Sequence, residues 1–147
     1  MILARCSTTV CCLVEANYVI QVSNSPFDFI DKLITFAEII MERQEIIRSI
    51  RDTAAGVMPA GSRLILFGSQ ARGDASQKSD WDLLILLNHT ERTNNDDFDR
   101  YAYPLVSLGW ALDVEINPIL YTDTEWQKRK ITPFYHNVEK EGILIWE

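Results

Sequence analysis

Two aspartates stand one residue apart at the head of an apolar run. Asp80 and Asp82 directly precede residues 83–87, which are all leucine or isoleucine, as expected of a buried strand. Alternate side chains of a strand share a face, so Asp80 and Asp82 point together and Trp81 points into the core. Two adjacent carboxylates repel unless a cation lies between them. Mg²⁺ suits such a site, because it is usually held by one or two carboxylates together with substrate phosphates.

A Gly-Ser turn supplies the complementary half of this chemistry. Gly68 and Ser69 follow a second apolar run, and ten residues separate Ser69 from Asp80. Gly68 has no Cβ, so a phosphate can approach its backbone closely. The amides of the segment that follows could bind phosphate oxygens, as amides at helix N-termini do. A phosphate site beside a metal-binding pair favours phosphoryl or nucleotidyl transfer.

The spacing Gly68-Ser69, ten residues, Asp80-x-Asp82 resembles the signature of the DNA polymerase β-type nucleotidyltransferase superfamily. The small size of the chain is similar to that of its minimal nucleotidyltransferase (MNT) branch. Many MNT proteins are encoded beside a helical HEPN partner and act as the antitoxin of that pair. The resemblance covers roughly residues 41–147.

This resemblance implies an α/β (α+β) fold, with helices packed on a mixed sheet of four or five strands. It implies that AMP is transferred from ATP to a hydroxyl of a partner protein such as a HEPN toxin. Asp80 and Asp82 would hold two Mg²⁺ ions on the nucleoside triphosphate. Gly68 and Ser69 would bind its β- and γ-phosphates, and Arg72 would neutralise charge on the departing pyrophosphate.

A third carboxylate is implied by the same resemblance, on the strand beside Asp80-x-Asp82. The segment Leu112-Asp113-Val114-Glu115-Ile116 alternates strictly between apolar and acidic residues, which predicts a half-buried strand. We assign Asp113 to the third position, where it would hold the second metal and help to deprotonate the acceptor. Glu115, on the same polar side, is the alternate.

Two other functions fit the same residues. One is a small-molecule nucleotidyltransferase of the aminoglycoside type, although those enzymes usually add a helical domain that this chain has little length for. The other is a non-catalytic antitoxin that neutralises its partner by contact. The intact Gly-Ser and Asp-x-Asp motifs argue against loss of activity.

Composition narrows the class of partner. The 147 residues suit one ordinary core, and the net charge of −7 argues against a general nucleic-acid binder. The three cysteines all precede residue 13 and form no disulfide or zinc pattern, which favours the cytoplasm. Since no apolar run approaches the ~18 residues of a spanning helix, we expect no membrane partner.

The elements around the motifs can be read from caps and periodicity. Ser25-Pro26 starts a helical pattern that continues to about Gly56, as one helix or two. We interpret residues 1–40 as an N-terminal extension, such as a non-native upstream start codon would produce, and residues 41–147 as the nucleotidyltransferase domain. A second helix is predicted over residues 98–108, bent at Pro104 and ended by Gly109.

The chain has one basic cluster, Lys128-Arg129-Lys130, at the end of a short helix capped by Thr122 and Asp123. A solvated helix end is the simplest interpretation of it, ahead of a contact with nucleotide phosphates or with an acidic partner. A last helix is predicted from Thr132-Pro133 to Gly142, followed by a terminal strand.

Overall fold

In a computed structural model of the chain, the described residues are 14–15, 18–19, 26–76, 79–89 and 91–147. The chain divides into two compact units, residues 1–45 and residues 46–147. The first unit contains two short antiparallel strands, β1 (Val14–Glu15) and β2 (Tyr18–Val19). Helix α1 (Pro26–Val57) is continuous. The sequence pattern allowed either one helix or two in this segment, and the structure has one. The interpretation of residues 1–40 as an extension stays a prediction.

The second unit is built on a four-stranded sheet. Its strands are β3 (Arg63–Phe67), β4 (Trp81–Leu87), β5 (Ile116–Thr122) and β6 (Ile143–Trp146), in the order β5-β4-β3-β6. Strands β4 and β5 are parallel, whereas β3 pairs antiparallel with both β4 and β6. The sheet is therefore mixed, and the predicted α/β fold class is confirmed.

Strand β4 is central and is covered on both faces, which explains why residues 83–87 are uniformly apolar. On one face, Leu83 and Ile85 pack with Ile50 of α1 in the larger core cluster. On the other, Leu84 packs in a smaller cluster with Trp126.

Shorter helices connect the strands. They are α2 (Gly68–Arg72), α3 (Asn95–Asp97), a π-helical turn (Phe98–Ala102), α4 (Tyr103–Ala111), α5 (Asp123–Gln127) and α6 (Pro133–Glu141). Within the described ranges, no helix is both long enough and apolar enough to cross a membrane.

The predicted end of the second helix at Gly109 is wrong. Helix α4 runs to Ala111, and Pro104 lies in its first turn, directly after the π-helical segment. The bend at Pro104 stays a prediction. Gly109 is needed for close packing, because a Cβ there would lie 2.8 Å from the Val114 carbonyl oxygen and 3.1 Å from Ile116 Cγ1. The glycine thus lets the chain fold back tightly onto α4 on its way into β5.

The predicted strand over residues 112–116 is also wrong, and β5 begins only at Ile116. The Leu112 amide donates to the Leu108 carbonyl at 3.0 Å, and the Val114 amide donates to the Gly109 carbonyl at 3.0 Å. These amides therefore close the end of α4 instead of joining the sheet. Asp113 between them has φ of 56°, a left-handed conformation that strand geometry excludes.

Replacing Gly109 with alanine should lower the melting temperature, because the new Cβ would crowd the Val114 carbonyl and the start of β5. Overpacking of this kind costs about 1–3 kcal/mol, which corresponds to several degrees in a domain of this size. Scanning calorimetry would measure the change.

The matched control is Gly56→Ala, in the last turns of α1, where a Cβ would meet nothing within 4 Å. Helix propensity predicts that this variant is more stable, by up to about 1 kcal/mol. Equal melting temperatures for the two variants would contradict the proposed role of Gly109.

Candidate active site

The backbone at Gly68 lies directly against the carboxylate of Asp82. Antiparallel pairing of β3 with β4 places Phe67 opposite Asp82, and Gly68 follows with φ of 73°. A Cβ built on Gly68 would overlap Asp82 Oδ2. Gly68 was predicted to let a phosphate approach the backbone, and the structure adds that it makes room for the acid. Both the left-handed φ and the close carboxylate require glycine here.

Helix α2 begins at Gly68, and no side chain caps its first amides, since the N-cap residue is Phe67. Ser69, the other half of the Gly-Ser motif, is half-buried in the first turn. Gln70 is buried, and its Nε2 donates to the Ser79 carbonyl at 3.3 Å. This bond ties α2 to the residue that precedes Asp80, so the Gly-Ser turn and the acid pair are held together.

The acid pair has the geometry that its spacing predicts. Trp81 is 3% exposed and lies in the core, while Asp80 and Asp82 are only partly buried. Burial raises the pKa of Asp82 above its ordinary value, the Asp80 charge raises it further, and the Arg72 guanidinium offsets part of the shift. A bound cation would relieve the repulsion between the two acids.

Asn117 belongs to this site, although sequence reasoning passed over it. Strands β4 and β5 pair in parallel with Asp82 beside Asn117, so the two side chains share a face of the sheet. Asn117 Nδ2 donates to Asp80 Oδ2 at 3.3 Å. The sequence holds a signal for this residue, a polar side chain early in an apolar strand. That signal is readable only once the first residue of β5 is known.

The two candidates for a third carboxylate lie before β5. Asp113 is exposed in the turn after α4, and Glu115 is exposed one residue before the strand, where its carbonyl accepts from the Trp81 amide at 2.8 Å. Among the residues that the structure describes, no three His, Cys, Asp or Glu side chains are grouped to hold a metal. Asp80 and Asp82 are thus brought together without Asp113, whose assigned role stays a prediction.

Arg72, the predicted pyrophosphate ligand, ends α2 close to the acids. Its guanidinium lies 3.2 Å from an Asp74 carboxylate oxygen and 3.6 Å from one of Glu141. The hydrogen bond to Asp74 raises the pKa of Arg72 above its ordinary value. Arg72 remains cationic in these pairs and is close enough to lower the pKa of Asp82.

The donor set fits a divalent cation of the Mg²⁺ type. It offers two hard carboxylates on one face of the sheet, in mutual repulsion, with Asp82 lying directly against the backbone of Gly68. Such a set leaves most coordination positions for water and for substrate phosphates, as Mg²⁺ prefers.

The chain belongs to the nucleotidyltransferase domain family, whose sequence model matches residues 44–143. It is therefore a nucleotidyltransferase by family, and the resemblance carried by the Gly-Ser and Asp-x-Asp motifs is confirmed.

Two proteins of Methanocaldococcus jannaschii, both provisionally named protein adenylyltransferases, are 33% identical to this chain. One alignment spans 84 residues, which is 57% of this chain and 77% of the relative. The other spans 106 residues, which is 71% of this chain and 100% of the relative.

Two solved structures share the fold. One is a toxin–antitoxin crystallised with AMP-PNP, with a TM-score of 0.50 and 21% sequence identity. This alignment covers 68% of our chain and 72% of the toxin–antitoxin chain. The other is a provisionally named nucleotidyltransferase of Sulfolobus solfataricus, with a TM-score of 0.50 and 19% sequence identity. This alignment covers 74% of our chain and 86% of the Sulfolobus chain.

Asp82→Asn should stabilise the protein at neutral pH. The folded-state pKa of Asp82 is raised, so the cost of ionising it is absent at acid pH and grows as pH rises through that pKa. The variant should melt above the parent chain at about pH 7.5, and the difference should shrink toward about pH 4. Scanning calorimetry in metal-free buffer would measure both.

The control is Asp52→Asn, which replaces an exposed aspartate in α1. This substitution should change the melting temperature little at either pH. A lower melting temperature for Asp82→Asn at neutral pH would show that its carboxylate stabilises the fold.

Asn117→Ala should weaken metal binding without unfolding the site, because Asp80 would lose the amide that orients it. Loss of such a supporting hydrogen bond costs about tenfold or more in metal affinity. Asn117→Asp should bind metal more tightly than the parent chain, yet melt lower without metal, since it adds a third like charge.

Calorimetric titration with Mn²⁺, in the absence of nucleotide, would measure these affinities. Asn137→Ala, an exposed asparagine of α6, is the matched control. Equal affinities for all three variants would remove Asn117 from the site.

Proposed function

We propose that this chain is a Mg²⁺-dependent protein adenylyltransferase, which transfers AMP from ATP to a hydroxyl of a partner protein. The observation that carries the proposal is the Asp80–Asp82 pair held against the uncapped start of α2 at Gly68. The relatives named protein adenylyltransferases support this acceptor class. The toxin–antitoxin neighbour with AMP-PNP supports an ATP-like donor and a toxin, such as a HEPN protein, as partner.

In the proposed reaction, an oxygen of the acceptor hydroxyl attacks the α-phosphorus of ATP. The bond from that phosphorus to the bridging oxygen breaks, and pyrophosphate leaves. Asp80 and Asp82 would hold the metal, which shields the charge of the triphosphate and of the leaving group when bound. Asn117 keeps Asp80 in place by its amide hydrogen bond.

The rest of the site would position the donor. The amides at Gly68 and Ser69 are proposed to bind the β- and γ-phosphates, and Arg72 the departing pyrophosphate. We propose that a carboxylate receives the proton of the acceptor hydroxyl. Asp113 is the residue predicted for this role and for the second metal, and its substitution tests both.

The proposal is tested by incubating the protein with α-³²P-ATP and Mg²⁺, together with a cell lysate or the product of a neighbouring gene. We expect a labelled protein band, and we expect the amount of label to fall at least a hundredfold in Asp80→Asn and in Asp82→Asn. An equal loss in Asp113→Asn would support the third carboxylate. Unchanged labelling in Asp113→Asn but lost labelling in Glu115→Gln would assign that role to Glu115. Unchanged labelling in both variants would assign the chemistry to Asp80 and Asp82 alone.

Three outcomes would redirect the function. Label on an added aminoglycoside, and on no protein, would establish the small-molecule class. Tight partner binding without label would establish an antitoxin that acts by contact. Labelling that survives in Asp82→Asn would remove the acid pair from the mechanism.

A further inference from the structure

A polar cleft lies at the C-terminal end of strand β5, at the opposite end of the β4–β5 pair from Asp80 and Asp82. It has a volume of about 310 Å³ and is formed where β5 enters α5. Its lining consists of Arg92, Thr122, Thr124, Glu125, Lys128 and Arg129. Two cations of the basic cluster, Lys128 and Arg129, thus line this cleft, while Lys130 is exposed outside it.

This cleft is far from the acid pair. Along the parallel β4–β5 ladder, Asp82 is level with Asn117, whereas Leu87 is level with Thr122. Five residues of extended strand separate the two levels, which is roughly 16 Å. A phosphate bound between Gly68 and Asp82 could not reach the cleft cations, so the two places must bind separate groups.

The single carboxylate of the cleft is already in use. Glu125 Oε2 accepts from the Thr122 amide at 3.1 Å and from Thr93 Oγ1 at 3.0 Å, and its Oε1 lies 3.4 Å from Arg92 Nε. Burial alone would raise the pKa of Glu125, but these hydrogen bonds and Arg92 outweigh it and lower that pKa. Glu125 therefore caps α5 as a fixed anion and neutralises one cation, Arg92.

Two cations are left without an acid. In the described part of the chain, no ion pair forms at Lys128 or Arg129. The Arg129 guanidinium lies 4.1 Å above the ring of Tyr121, a cation–π contact that holds it in place. Lys128 is exposed at the rim. Three cations and one carboxylate leave the cleft with a net charge of about +2, in a chain of net charge −7.

We propose that this cleft binds the phosphate group of a small ligand. A phosphate dianion matches the net charge of the cleft, and guanidinium, ammonium and the Thr124 hydroxyl are suitable donors to its oxygens. The volume lies at the lower end of the range for small-molecule sites, which suits inorganic phosphate or a mononucleotide. The overall charge of −7 would repel the extended backbone of a nucleic acid.

Calorimetric titration tests the proposal on the full chain, with inorganic phosphate and with AMP as probes, in low salt with EDTA so that metal at the acid pair plays no part. We expect both probes to bind and to weaken as salt rises. Lys128→Ala should weaken binding about fivefold or more, and Lys128→Glu should abolish it.

Two matched variants keep the test specific. Lys130→Ala removes an exposed lysine two residues away that does not line the cleft, and should bind within about twofold of the parent chain. Asp82→Asn should also keep its affinity, so the result is independent of the proposed transfer reaction. Tighter binding of AMP would identify a mononucleotide as the ligand, and equal binding would identify the phosphate group alone.

The proposal is overturned if neither probe binds at millimolar concentration. It is equally overturned if Lys128→Glu and Lys130→Ala bind alike, which would show an unspecific charge effect, or if Asp82→Asn abolishes binding.

Discussion

The candidate active site depends on one close contact, between the backbone of Gly68 and the carboxylate of Asp82. The contact exists because β3 and β4 are paired with Phe67 opposite Asp82, and because residue 68 has no side chain. The chain then enters α2 at Gly68, and no side chain caps the first amides of this helix. A metal pair and a phosphate turn thus become neighbours through one strand register, and any slip of that register would separate them.

The two ends of the β4–β5 ladder carry opposite charges, acidic at the start of the strands and basic at their end. At its start, Asp80 and Asp82 are placed side by side, and the pKa of Asp82 is raised by burial and by its neighbour. At its end, Lys128 and Arg129 stand in a cleft whose one carboxylate serves as a helix cap. The two ends are suited to opposite charges, a divalent cation and an anion. A rigid strand pair between them keeps the two environments from neutralising each other.

Local patterns predicted much of this structure. The strand before Gly68, the turn into α2 and the terminal strand follow from apolar runs and glycine signals. The opposite orientations of Trp81 and Asp82 follow from strand alternation. The strand predicted over residues 112–116 is wrong because apolar and acidic residues alternate there in a segment that is not a strand before Ile116. Its amides close α4, which depends on how tightly Gly109 allows the chain to return. The periodicity of the sequence carries no signal for this close packing against Gly109.

The sequence by itself determined the class of protein, since the Gly-Ser turn and the Asp-x-Asp pair require only residue types, spacing and local strand geometry. Tertiary structure alone decided what stands beside them. Asn117 reaches Asp80 only through the parallel register of β4 and β5, two strands separated by almost thirty residues of chain. The basic cluster likewise becomes a cleft only when Arg92 is brought against α5 by folding. Contacts between distant segments depend on packing of the whole sheet, and no local pattern encodes them.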